Sequence, residues 1–93
     1  ALTSVRVDKW LWAARLYKSR SLAGQACDAG HVKIDGNSVK ASRGVKRGEH
    51  VHALTPGGPR QVEVIDLAEK RGSAPMAAKL YIDHTPPPPP RDP

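Results

Sequence analysis

Residue types able to carry covalent or acid–base chemistry are sparse in this chain of 93 residues. His50 and His52 stand two apart, a spacing that puts both on one face of a strand and could make a metal pair. No third ligand stands at useful spacing, and the polar face of an edge strand is the simpler reading. Cys27, the single cysteine, falls among apolar residues at helical spacing and is expected to be a small core residue with an inert thiol. One cysteine also excludes an internal disulfide framework or a multi-cysteine zinc site, and it fits a reducing compartment. Gly57-Gly58 lies between two prolines and reads as a hairpin loop, since no glycine-rich phosphate loop follows a strand. No catalytic residue, metal ligand or cofactor is expected, so an enzyme is not the leading reading.

The cations make a sharper pattern. Lys18 and Arg20 flank Ser19, which sits where a helix N-cap belongs. For stability alone this is the wrong end of the helix dipole for positive charge, at a cost of a few tenths to about 1 kcal/mol. The same placement lets backbone N–H groups and two side chains converge on one phosphate. Arg15 can join that patch, and Arg6 and Lys9 extend it at the start of the preceding helix. Trp12 projects about 200° from Trp10 onto the polar side, beside Asp8 and Arg15. Two readings of it stand: a stacking plane for an unpaired base, or a partly buried helix residue. A second cluster, Lys40, Arg43, Lys46 and Arg47, either tracks a further stretch of nucleic-acid backbone or solubilises the turns. Neither helix displays the row of Asn, Gln and Arg that would read a DNA major groove.

The elements that must hold these side chains follow from pattern. The length argues for one domain. With 39% hydrophobic residues, 4% aromatic and no Phe, any core is modest and leaves little room for a deep substrate pocket. The apolar runs are far shorter than the ~20 residues that span a bilayer, and no basic-then-apolar leader opens the chain, so a soluble cytoplasmic protein is expected. Residues 1–48 carry ten Lys/Arg against three acids, whereas residues 49–93 carry five against six. The net charge of +6 thus sits in the first half. Excess cation in one part of a small domain is the footprint of a protein that meets phosphate.

Trp10, Leu11, Ala14 and Tyr17 share one face of a first helix predicted over Asp8–Leu16. A second, Arg20–Ala29, carries Leu22, Ala23, Ala26, Cys27 and Ala29 on its apolar side and closes on Gly30. The two are joined by only a residue or two. The period then changes to two. His31–Ile34, a turn at Asp35-Gly36-Asn37 and Ser38–Lys40 predict a hairpin, followed by strands at His50–Leu54 and Gln61–Ile65. Segment 1–5 is expected to fray. Ser73-Ala74-Pro75 opens a short helix through Tyr81, and Pro86–Pro90 reads as polyproline II or a disordered tail.

Four stretches in this order carry a resemblance. They are Arg6-Val7-Asp8-Lys9-Trp10-Leu11-Trp12-Ala13-Ala14-Arg15, Lys18-Ser19-Arg20-Ser21-Leu22-Ala23, Gly30-His31-Val32-Lys33-Ile34-Asp35-Gly36 and Val45-Lys46-Arg47-Gly48-Glu49. The chain resembles the S4-type RNA-binding domain family, and within it the heat shock protein 15 group and its short relatives in ribosome-associated quality control. The resemblance covers about residues 5–82, leaving 83–93 as a proline-rich disordered tail. It implies an α+β, S4-like αL fold: two N-terminal helices on a small, mostly antiparallel sheet, with a short C-terminal helix.

It further implies a non-catalytic factor that binds the large (50S) ribosomal subunit, through 23S rRNA, together with P-site peptidyl-tRNA. Such a factor serves rescue or quality control of obstructed subunits after the ribosome splits, and is expected to act as a monomer without a membrane. By position, Arg6 and Arg20 match arginines that touch rRNA and tRNA, with Lys9, Arg15 and Lys18 beside them. Asp8 then reads as a helix-start residue orienting Arg6 or Arg15. Two departures stand out. The longer relatives carry a basic C-terminal extension where this chain has prolines, and Gly24 stands where a basic residue is common. The competing readings are an accessory RNA-binding domain of an RNA-modifying enzyme, which would continue into a catalytic domain, and an adaptor whose proline run docks a partner.

Overall fold

A computed structural model describes residues 2–86 of the chain. Helix α1 (Val7–Ala13) follows directly on a two-residue strand β1 (Val5–Arg6), and stops three residues short of the end that periodicity predicts. It stops because Arg15 takes a left-handed backbone, φ 61°. Leu16 N–H then donates to Leu11 O at 3.0 Å and Arg15 N–H to Trp12 O at 3.1 Å, the paired bonds of a Schellman stop. Trp10, Leu11, Ala14 and Tyr17 are all buried, as the expected apolar face requires.

Residues 14–19 form the α1–α2 connection, longer than the expected joint of one or two residues. Helix α2 (Arg20–Asp28) starts on Ser19, whose Oγ accepts the Leu22 N–H at 3.1 Å. It ends as predicted at Gly30, φ 79°, with His31 N–H donating to Ala26 O at 2.8 Å. Its buried stripe is narrower than expected: Ala23, Ala26 and Cys27 are covered, whereas Leu22 is 41% exposed and Ala29 is exposed too.

Five antiparallel strands follow in spatial order β3-β2-β5-β6-β7. Strands β2 (Val32–Ile34) and β3 (Asn37–Ser38) join through Asp35-Gly36, both at positive φ (50° and 86°), the type I′ geometry that matches strand twist. Strand β4 (Gly44–Val45) pairs with β1, so segment 1–5 does not simply fray: Val5 is 5% exposed and faces Val45. Strands β5 (His50–Thr55) and β6 (Gly58–Val64) make the long hairpin. Since β5 lies between β2 and β6, His50 and His52 occupy the open face of a central strand, and the edge-strand reading is corrected.

The predicted C-terminal helix is also shorter than expected. Helix α3 (Ala74–Ala78) gives way to β7 (Tyr81–Asp83), which pairs with β6. Burial overrides local helix preference here: Leu80 is 8% exposed and Tyr81 meets Trp10 edge-on, ring centres 6.4 Å apart. Trp10 is fully buried at the centre of the core, its indole N–H donating to Asp66 O at 2.9 Å. Tyr17 likewise buries its ring and donates its hydroxyl to Leu54 O at 2.7 Å. The expected proline run lies, from Pro87 onward, outside the described residues. No helix among the described residues is long and apolar enough to cross a membrane.

Candidate nucleic-acid interface

Two helix starts meet around one buried carboxylate. Asp8, in the first turn of α1, has a side chain only 8% exposed. Its Oδ1 accepts the Lys9 N–H at 2.7 Å and the Arg6 Nε at 3.3 Å, while Oδ2 takes Arg6 Nη2 at 3.2 Å. Arg20, from the first turn of α2, reaches the same Oδ2 at 3.6 Å. Of the two arginines that Asp8 is expected to orient, Arg6 is held by it and Arg15 is not, while Arg20 is a second partner that the sequence did not indicate. Two cations and one anion leave a local excess of one positive charge. The two arginine side chains, 53% and 44% exposed, retain N–H donors beyond those that Asp8 takes.

The N-terminus of α1 has no side-chain cap. Backbone carbonyls of the loop before β4 cap it instead, with Val7 N–H donating to Arg43 O at 2.7 Å and Asp8 N–H to Ala41 O at 3.4 Å. This sets the backbone of Arg43, from the second basic cluster, against the start of α1. A shallow depression beside them is lined by Asp8, Arg20, Ser21, Gly24, Gln25 and Asp28. A Cβ at Gly24 would sit 3.8 Å from the Ala41 Cβ, an ordinary contact, so close backbone approach does not explain this glycine.

The remaining expected residues divide. Lys40 and Lys46 are exposed and Lys9 is half-buried. Arg43 is held by Glu49 at 3.1 Å, and Arg47 by Asp66 at 2.9 Å and by Leu2 O at 2.7 Å. These two arginines therefore pin loops as well as presenting charge. Trp12 is half-buried against the core, which matches the second of its two readings, a partly buried helix residue. Arg15 lies beyond α1, its Nε donating to Gly72 O at 2.9 Å. Arg15 and Lys18 thus stand at the α1–α2 corner, and neither pairs with Asp8.

Sequence reasoning missed a partner of that corner. Arg71 reaches Lys18 O through Nη1 at 3.4 Å, and Lys70 is exposed beside it. Their only signal was a Lys-Arg-Gly triplet in a stretch without periodicity. Cys27 matches its expected place: buried, with desolvation first and the charges of Asp8 and Asp28 after it pushing its thiol up to about 11.

A model of the S4 domain matches residues 5–51, which contain all ten expected contact residues. The chain belongs to the S4 domain family. This S4 chain is 43% identical over 79 residues to a heat shock protein 15 homolog of Aeromonas salmonicida, covering 85% of the chain and 60% of that protein. It is 30% identical over 78 residues to the RQC P-site tRNA stabilizing factor of Helicobacter pylori, covering 84% of the chain and 93% of that protein. Among solved structures, trimeric heat shock protein 15 of Vibrio cholerae superposes with a TM-score of 0.82 at 36% identity, covering 86% of this chain and 81% of that one. The α+β S4-like fold expected from the sequence is therefore borne out. The S4 chain spans about 60% of the length of its Aeromonas relative.

Proposed function

We propose that this chain is a non-catalytic RNA-binding factor of the large ribosomal subunit. On this reading it engages 23S rRNA together with P-site peptidyl-tRNA, in the cytoplasm, and serves rescue or quality control of obstructed subunits after the ribosome splits. One observation carries it. Arg6 and Arg20, from the starts of two helices, are aimed outward by a shared buried carboxylate, within the region matched by the S4 domain. Preorganised guanidinium donors are what phosphate recognition rewards, because less side-chain freedom is lost on binding. Likeness to the RQC P-site tRNA stabilizing factor of Helicobacter pylori supports the tRNA part of this reading.

Co-sedimentation tests it at physiological salt, with empty large subunits and with large subunits that carry P-site peptidyl-tRNA. Preferential retention on the tRNA-bearing particle is the expected result. Equal or absent retention would reduce the reading to a generic RNA-binding domain. Arg6→Ala and Arg20→Ala should each weaken binding at least tenfold, about 1.4 kcal/mol, without unfolding the protein. We further propose a monomer in solution, against the trimer of the Vibrio relative, and sedimentation equilibrium decides between them.

A further inference from the structure

Expectation confined the phosphate-meeting cations to the first 48 residues, but the fold brings two more from the other half of the chain. The connection between β6 and α3 lies against the α1–α2 corner. Arg71 is tied to Lys18 O, and Gly72 O to Arg15 Nε. Arg15, Lys18, Lys70 and Arg71 therefore border one corner, the first three exposed and Arg71 half-buried. Unlike Arg6, Arg20, Arg43 and Arg47, none of the four has an ion-pair partner among the described residues.

This corner is expensive in three separate ways. Four like charges repel one another. Arg15 holds a left-handed backbone, φ 61°, that glycine would adopt at lower cost. The Nε of Arg71 is buried with no hydrogen-bond partner among the described residues. Stability alone would select a glycine at 15 and a neutral side chain at 71. An anion placed on the corner would relieve the repulsion. Arg6 precedes the first turn of α1 and Arg15 follows its last, so the two arginines stand at opposite ends of that helix.

We propose that this corner is a second phosphate-binding site for RNA, with Lys70 and Arg71 as contact residues beside Arg15 and Lys18. The proposal rests on the RNA-binding reading above. It extends the RNA-facing surface from the Arg6–Arg20 pair along α1 to a segment outside the residues that match the S4 domain.

The test is filter binding of bulk deacylated tRNA over a series of salt concentrations, alongside thermal melts, for the unmodified chain and for Arg71→Gln, Arg71→Lys and Lys70→Gln. Each neutralised phosphate contributes about 0.7–0.9 to the slope of log affinity against log salt. Arg71→Gln and Lys70→Gln should each make the slope shallower by about that amount, and Arg71→Lys should restore it. Lys70→Gln should melt with the unmodified chain. Unchanged slopes in both neutral variants would overturn the proposal, and a lowered melting temperature for Arg71→Gln alone would assign that residue to pinning the 70–72 segment. Should Arg71→Gln fail to fold, the Lys70→Gln slope decides alone. An unmodified chain that binds no tRNA would overturn the RNA-binding reading and this inference with it.

Discussion

Asp8 is the residue where simple charge counting and geometry make opposite predictions. Asp8→Asn raises the net charge from +6 to +7, and a uniform electrostatic view says that RNA binding strengthens. The shared carboxylate, however, holds Arg6 and Arg20 in place. Asp8→Asn should therefore weaken binding several-fold, and a gain in affinity would show that Asp8 merely repels the ligand. Cys27 supports a prediction of a different kind. Its thiol titrates near 11 in the folded chain against an ordinary 9.0, so the unfolded chain loses this proton first. The associated stability is whole below pH 9 and is lost as pH rises toward 11. Tyr17, also pushed up by burial and then by the Cys27 charge, adds to the loss at the upper end. Urea midpoints measured across that window should fall, and Cys27→Ala should flatten the decline. The thiol should resist alkylation at neutral pH until the chain unfolds.

At the scale of elements, the two helices end in the same motif with different residues. Gly30 closes α2 at φ 79° without strain, whereas Arg15 closes α1 at φ 61° with a side chain. Arg15→Gly should stabilise the fold by about 1 kcal/mol, raising the melting temperature by roughly 4–8 °C, while weakening RNA binding. Opposed changes in stability and affinity are the diagnostic outcome, since a residue kept for structure alone would move both together. Gly24→Ala should also stabilise, by up to about 1 kcal/mol, because the added Cβ meets only the Ala41 Cβ at 3.8 Å. Its effect on RNA binding should be small, as the methyl group carries no charge. Lower stability in Gly24→Ala would mean that α2 and the 39–43 loop sit closer than the structure has them.

For the whole molecule, the charge asymmetry determines how binding responds to salt. Arg43 and Arg47 already neutralise Glu49 and Asp66, so fewer cations are free than the ten Lys/Arg of the first half. With five to seven phosphates neutralised, log affinity should fall against log salt with a slope of roughly −4 to −6. A slope near −1 would remove the basic face from the interface. The helix start that carries Arg6 and the loop that caps it are held by β1–β4 pairing and by the buried Trp10. The five-stranded sheet turns its other face, with His50, His52 and Lys33, to solvent.

Periodicity and turn chemistry by themselves determined the two-helix-then-sheet plan, the Ser19 cap, the Gly30 stop, the Asp35-Gly36 hairpin and the basic bias of the first half, because each is a local preference written over a few neighbouring residues. Tertiary structure decided the rest. Nothing local to Val5–Arg6 calls for a strand; the pairing with Gly44–Val45 supplies it. Residues 79–81 look helical until the core takes Leu80 and Tyr81. The partners of Asp8 lie two and twelve positions away, and only the approach of two helix starts selects Arg6 and Arg20 over Arg15. Arg71 joins the α1–α2 corner across 53 positions of sequence. Long-range pairings of this kind cost chain entropy that only the assembled core repays, so they leave no periodic trace in the sequence.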